Sequence, residues 1–243
     1  FAVEYRLDQD NLHLSLSGRH ENNSEFDDSS SWRATANYAF GATTLFASVG
    51  ESVKNPTFTE RYGFFTNFIG NPDLKPEESA QVEIGAKRFL MDDRLELGLT
   101  WFDADLENEI NGFVFDPVTF GFTSANVDGK SDRKGVELTF SYIATDRFRI
   151  KANYSYLDAT EEDFASDSVT EVRRPEHTGS INMDYSFNRG SLNLTVIRTG
   201  SQEDLYFPPF PPFQERVTLS AFTLVELSGQ YQINNRLSLT GRI

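Results

Sequence analysis

Almost every stretch of the chain repeats one pattern, a short run in which apolar residues occupy alternate positions. A period of two is the mark of a strand whose two faces meet different surroundings. In residues 94–102, Leu95, Leu97, Leu99 and Trp101 fall on one face, and Glu96, Gly98 and Thr100 on the other. Val136, Leu138, Phe140 and Tyr142 oppose Glu137, Thr139 and Ser141 in the same way. Phe148, Ile150, Ala152, Tyr154 and Tyr156 oppose Arg147, Arg149, Lys151, Asn153 and Ser155. The alternation recurs at Leu12/Leu14/Leu16, Trp32/Ala34/Ala36/Tyr38, Leu45/Ala47/Val49 and Ala80/Val82/Ile84/Ala86. It continues at Ile181/Met183/Tyr185/Phe187, Leu192/Leu194/Val196, Val225/Leu227/Gly229/Tyr231 and Leu237/Leu239/Gly241/Ile243.

Alternation alone fits a soluble sandwich as well as a membrane barrel, since each keeps charge off one face. The connections separate the two. Tight turns are predicted at residues 8–11, 41–43, 91–93, 144–146, 188–190 and 233–235. Long connections lie near 21–31, 53–77, 106–132, 159–174 and 200–220. Short and long alternate without a break, as in bacterial barrels with short periplasmic turns and long outer loops. Phe40, Phe89, Tyr142, Phe148, Phe187 and Tyr231 sit beside the tight turns, and Trp32, Trp101, Tyr154 and Tyr156 towards the long loops. Two such belts suit rings at the two membrane–water interfaces. The predicted fold is all-β: an antiparallel up-and-down transmembrane β-barrel segment of about 12 strands. Both chain ends then fall at the outer side, where complete bacterial barrels do not place them, so the segment is expected to be truncated at both ends.

Composition narrows the classes. The 22 basic and 37 acidic side chains give a formal net charge of −15, which leaves no basic surface for phosphate backbones and excludes nucleic acid as a partner. Aromatics at 14% separate the chain from disordered acidic segments. Cysteine is absent, so there is neither a disulfide framework nor a thiolate metal site. No run approaches the roughly 20 apolar residues of a membrane helix, a test that barrel strands escape because only half their residues face lipid.

Residues 50–85 carry the most specific motifs. Lys54-Asn55-Pro56-Thr57-Phe58-Thr59-Glu60-Arg61-Tyr62 has the form Lys-x-Pro-x-hydrophobic-x-Glu-x-Tyr. Gly70-Asn71-Pro72-Asp73-Leu74-Lys75-Pro76-Glu77-Glu78-Ser79 has the form Gly-Asn-Pro-x-Leu-x-Pro-Glu-x-Ser, with Glu83 and Gly85 following. Both resemble segments of the TonB-dependent outer-membrane receptor family. Asn126, Gly135-Val136-Glu137, Arg174-Pro175 and His177 are similar to later landmarks in the same order, so the resemblance covers residues 1–243 as part of one barrel domain. It implies a bacterial outer-membrane location among lipid and lipopolysaccharide. It further implies a barrel of about 22 strands around an N-terminal plug, a scarce metal chelate or cobalamin as ligand, and the TonB complex as a partner acting through the plug. Neither plug nor TonB box is visible in this sequence. The Tyr62-Gly63-Phe64-Phe65 run gives it a cobalamin-receptor-like cast. Physically, Pro72 and Pro76 fix φ and remove two donors, and Asn71 and Asp73 favour turns. The motif residues Asn55, Pro56, Glu60, Tyr62, Gly70, Asn71, Pro72, Leu74, Pro76, Glu77 and Ser79 are therefore read first as shaping the re-entry of an outer loop into the wall.

Two outer loops carry candidate ligand contacts. Residues 63–69 hold Phe64, Phe65 and Phe68, and residues 205–213 hold Tyr206, Phe207, Phe210 and Phe213 among four prolines. Rings on stiffened backbone suit a large, partly apolar chelate; packing against each other as a cap over the mouth is the structural alternative. Acidic residues in the loops (Glu21, Glu25, Asp27, Asp28, Glu161, Glu162, Asp163, Asp167) match no calcium-loop spacing, so no metal site or cofactor is assigned. Arg147, Arg149 and Lys151 form a basic rung that is expected to balance lumen acids such as Glu96 and Glu137.

No nucleophile elbow, phosphate loop or histidine pair is present, so no catalytic residue is assigned. The functional expectation is part of a receptor importing a siderophore, haem, cobalamin or similar nutrient. A passive porin-like channel is the alternative. A hydrolase acting at the rim around His177 is the remote one.

Overall fold

The computed structural model describes residues 1–65, 67–116, 118–127, 129–162, 167–211 and 214–243, with the side chain of residue 113 left aside. Phe213 and Asp163 therefore lie outside the described residues.

Twelve strands follow one another across a single antiparallel sheet. They are β1 (Ala2–Gln9), β2 (Leu12–Glu21), β3 (Ser29–Phe40), β4 (Thr43–Lys54), β5 (Glu77–Leu90) and β6 (Leu95–Glu107). After a hairpin of β7 (Ile110–Asp116) and β8 (Gly121–Asn126), the wall resumes with β9 (Lys130–Thr145) and β10 (Phe148–Glu162). The short β11 (Ser168–Thr170) pairs back on β10, and β12 (His177–Phe187) and β13 (Gly190–Thr199) continue the wall. A second hairpin, β14 (Gln202–Tyr206) and β15 (Glu215–Leu219), precedes β16 (Phe222–Asn234) and β17 (Leu237–Arg242). Each wall strand pairs with its neighbour in chain order once the hairpins are set aside, as an up-and-down barrel wall requires. β1 and β17 do not pair with each other, so the sheet is open.

Every expected tight turn is present at one end of the strands, and every expected long connection at the other. Asp10 and Gly41 take the left-handed conformation that such turns demand, with φ of 46° and 55°. The long connections hold more order than the sequence pattern shows: β7–β8, β11, β14–β15 and the helix α1 (Phe58–Tyr62) all lie within them.

Register carries the apolar stripes across the wall. Leu95 pairs with Tyr142, Tyr142 with Ile150, Ile150 with Met183, Met183 with Leu194 and Leu194 with Leu227. One register higher, Leu97, Phe140, Ala152, Ile181, Val196 and Val225 are joined in the same way. This face is not covered by a second sheet. Leu99 is 49% exposed, Ile84 55% and Leu239 64%. Among the described residues few apolar side chains are buried: Phe68, Leu74, Ala159 and the loop prolines Pro56 and Pro76. A sandwich would bury these stripes between its layers. A continuous bare apolar surface of this extent belongs against hydrocarbon.

The opposite face is hydrogen-bonded polar lining. Ser48 donates to Glu83 at 3.0 Å, Asn153 to Ser180 at 2.9 Å, and Asn182 to Thr195 at 2.8 Å. Two expectations change here. Glu96 is paired with Lys87 at 2.8 Å, so the basic rung does not balance it: Lys87 is its neighbour on the adjoining strand. Phe89 does not join the lipid-facing belt beside the tight turns. Its register partner is Glu96 and the Lys87 ammonium lies 5.0 Å from its ring, which places it on the polar face. The belt near the tight turns is instead a chain of rings, with Phe148–Tyr185 and Phe187–Tyr231 centroids 6.4 Å apart and Tyr185–Phe187 6.1 Å apart.

A charge-reversal pair tests which face meets lipid. Leu99→Arg is expected to destabilise the complete membrane-folded protein by about 2–4 kcal/mol, and Thr100→Arg, one residue on, by much less. Urea titration of the protein folded into vesicles measures the difference.

Candidate ligand-binding surface at the outer loops

The two strong motifs meet in one knot above β4 and β5. Thr57 caps α1: its hydroxyl accepts from Glu60 N–H at 3.3 Å, and the Glu60 carboxylate accepts from Thr57 N–H at 2.7 Å. This reciprocal pairing satisfies helix-end donors that would otherwise be orphaned. The Glu60 carbonyl then accepts from Asn71 N–H at 2.9 Å, which joins the first motif to the second. Gly70 sits so close that a Cβ there would overlap the backbone of Arg61 and Tyr62. Gly63 has φ of 75°, and a Cβ on it would strike the Phe68 carbonyl.

The second motif is fixed by its amide and its prolines. Asn71 Nδ2 donates to the Ser124 carbonyl at 3.0 Å, and Asn71 Oδ1 accepts from Asp73 N–H at 3.0 Å. Asn126 bridges to the same segment, accepting from Lys75 N–H at 2.8 Å and donating to the Lys75 carbonyl at 2.9 Å. Pro56, Leu74 and Pro76 are buried. Glu77 closes the knot by accepting from Ile110 N–H at 2.9 Å and from Lys54 at 3.0 Å. Asn55 adds a contact to Glu21 at 3.3 Å. Ser79 lies in β5, opposite Ser52, and Pro72 is exposed.

On this base stand the aromatic residues of 63–69. Phe64 and Phe65 meet edge to face, with centroids 4.4 Å apart, and Phe64 lies 5.2 Å from Phe68. Phe68 is buried and serves as the floor, whereas Phe64 is 67% exposed and Phe65 46%. Ile69 N–H donates to the Phe122 carbonyl at 2.8 Å, and Phe122 N–H to the Asn67 carbonyl at 2.7 Å. These bonds tie the loop to the β7–β8 hairpin, whose Phe115 and Phe120 are also exposed, with centroids 6.5 Å apart. Sequence reasoning passed over Phe115, Phe120 and Phe122. The alternation of Phe113 with Phe115, and of Phe120 with Phe122, on either side of Asp116-Pro117 was the available signal.

The second aromatic loop is built differently. Tyr206 ends β14, and Phe207 and Phe210 extend beyond it at 59% and 76% exposure. No ring contact joins Tyr206, Phe207 or Phe210 to Phe64, Phe65 or Phe68 among the described residues.

A charged strut holds the middle of the rim. The Arg133 guanidinium donates two bonds of 2.7 Å to the Glu171 carboxylate and one of 2.9 Å to Glu109. Glu171 also accepts from Arg174 at 2.9 Å, and Ser131 donates to Glu109. Such forked pairing is the strongest polar contact available to a carboxylate.

Over its whole length, residues 1–243, the sequence matches the family described as TonB dependent receptor-like, beta-barrel. The chain belongs to the TonB-dependent receptor family. As in other members, its wall lies in the bacterial outer membrane. Solved receptors share the fold. The siderophore receptor PirA of Acinetobacter baumannii is 19% identical, with 99% of this chain and 40% of that one covered and a TM-score of 0.77. A mutant of the ferric enterobactin receptor PfeA of Pseudomonas aeruginosa, solved with enterobactin, is 23% identical, with 96% and 37% covered and a TM-score of 0.74. The ferripyoverdine receptor of the Pseudomonas aeruginosa outer membrane, bound to ferripyoverdine, is 21% identical, with 98% and 33% covered and a TM-score of 0.70. The chain thus spans about two fifths or less of the length of these receptors. All three are siderophore receptors, and none is a cobalamin receptor.

One tie in this receptor's rim is pH-sensitive. The Tyr62 hydroxyl donates to Glu25 at 2.7 Å, which joins α1 to the loop between β2 and β3. That hydrogen bond, then loss of solvent, then the Glu25 charge, hold the phenol above its ordinary value of 10.0. A raised phenol stabilises the fold fully below pH 10.0, and the contribution is lost as pH rises through the folded-state value. Alkaline titration of tyrosine absorbance is expected to show one late-ionising phenol that disappears in Tyr62→Phe. Protease sensitivity of residues 22–28 should rise over the same pH range.

Proposed function

We propose that this wall belongs to a receptor that captures a ferric siderophore outside the cell and passes it inward with energy delivered through TonB. Family membership supports the transport class, and the named relatives support siderophores as the chelate class ahead of haem or cobalamin. The plug that would couple ligand to TonB is a family expectation. The family is one of transport receptors rather than enzymes.

The observation that carries the proposal is the exposed aromatic surface of Phe64 and Phe65, set on a buried Phe68 and a knot of side chain to backbone hydrogen bonds. Exposed rings are costly in water unless they have a partner. Rings whose backbone is already fixed lose little entropy on binding, so more of each contact appears as affinity. Ferric siderophores are bulky and partly apolar, which suits flat ring faces better than a charged cleft. The proline-braced Tyr206, Phe207 and Phe210 offer a second surface of the same chemistry. A passive channel gains nothing from aromatic surfaces held at its mouth.

In the complete receptor, Phe64→Ala with Phe65→Ala is expected to weaken ferric siderophore binding roughly tenfold, at about 0.5–1.5 kcal/mol per ring. Removal of residues 207–211 is expected to give a separate loss. Isothermal titration of the purified receptor measures both, and unchanged affinity in the two variants would end the aromatic-capture reading.

A further inference from the structure

The lipid-facing side of the wall carries a trough of about 730 Å³ where β5, β6, β9, β10, β12 and β13 run together. Its floor is made by small residues, Ala86, Ala152 and Gly179, and its sides by Leu99, Leu138 and Ile181. A flat barrel wall of Leu and Phe would leave no such hollow. Here two small residues, Ala152 and Gly179, lie in adjoining strands below larger neighbours. The shape and the apolar lining suit acyl chains, and the position within the hydrocarbon band excludes an aqueous ligand.

The outer lip of the trough is cationic. Arg198 lines it, is exposed, and gives one bond of 3.1 Å to the Thr223 hydroxyl. Its register partner is Gly179, so no side chain across the strand pair covers it. Two residues away on β12, His177 stands on the same face, stacked on Tyr154 and bonded to its hydroxyl at 2.8 Å through Nδ1. The His177 Nε2 points towards Glu176, 3.8 Å away. Tyr156 flanks the imidazole with centroids 5.4 Å apart. Elsewhere along this rim the lipid-facing cations are consumed: Lys134 is paired with Asp158 at 3.4 Å, and Lys130 with Glu107. The lipid-facing positions Glu51, Asp103, Asp105 and Asp132 are acidic. Among the described residues, Arg198 is thus the lipid-facing arginine of the outer rim that forms no ion pair and is open to a phosphate.

We infer that this trough is a seat for one phosphorylated, multiply acylated lipid of the outer leaflet, of the lipid A type. Its acyl chains lie over Ala152 and Gly179, and its phosphate is held by Arg198 beside the Tyr154–His177 pair. A guanidinium fits a phosphate with two parallel bonds, and interfacial rings favour the headgroup level. The exposed Arg88 lines the far end of the same trough, with no Tyr–His pair beside it among the described residues, so the outer end is the stronger anchor.

Native mass spectrometry of the complete receptor in nanodiscs that contain both lipid A and phosphatidylglycerol tests the inference. Lipid A is expected to stay bound to the unaltered receptor through detergent release. Retention should fall about tenfold in Arg198→Gln, and should fall also in Ala152→Leu, which fills the floor and leaves the charge in place. Ala152→Leu adds an apolar side chain to a lipid-facing position, so it keeps the test open if Arg198→Gln fails to assemble. Equal lipid A retention by the receptor and either folded variant would overturn the inference, as would preferential retention of phosphatidylglycerol.

Discussion

The structure depends on one constraint: within hydrocarbon, each backbone N–H and C=O must find its partner in an adjoining strand. A wall that meets this demand by pairing each strand with the next has its side-chain faces fixed at the same time. A slip of one residue at any pair would turn Leu97 and Leu99 inward and set Glu96 and Thr100 against lipid. Unbroken register from Leu95 to Leu227 is therefore the condition for having a lipid side and a water side at all. Tight turns at one end hold that register with the least chain, which leaves the opposite end free to vary. Nearly all the departures from simple strands occur at that opposite end.

This division explains what was legible in the sequence. The wall was readable because its rule is local: alternation at Leu95–Trp101 states the face of every residue in β6 without reference to any other part of the chain. Phe89 shows the same rule misapplied. It was placed by its closeness to a turn, when counting by twos from Ile84 passes over it to Arg88 and Leu90 and leaves it on the other face, with Lys87 and Glu96. The outer knot was only half readable. The spacing of Thr57 and Glu60 carries a capping-box signal that reading residues 53–77 as a long connection did not use. The bond from Asn71 to Ser124 spans 53 positions and leaves no mark in either segment alone. The β7–β8 hairpin lay hidden because a long loop and a loop that folds back on itself have much the same composition. The Arg133–Glu171 pair was missed for the same reason.

The rim shows how a loop that must present apolar rings to water avoids collapsing on itself. Proline, glycine and amide side chains perform the work that a core performs elsewhere. Pro56 and Pro76 remove freedom, Gly63 and Gly70 permit approaches that any Cβ would block, and Asn71 and Asn126 supply the bonds. Leu74 and Phe68 are the modest apolar anchor beneath. Phe64 and Phe65 can then stay outside because their backbone is held without them.

The backbone link between residues 67–69 and Phe122 couples two excursions of the chain that leave the wall at different places, one after β4 and one after β6. A body resting on the tip of the β7–β8 hairpin would push on the Gly63–Gly70 turn as well, and through Glu77 on the start of β5. Events at the cell surface thereby acquire a covalent and hydrogen-bonded path into a strand that runs the full height of the membrane.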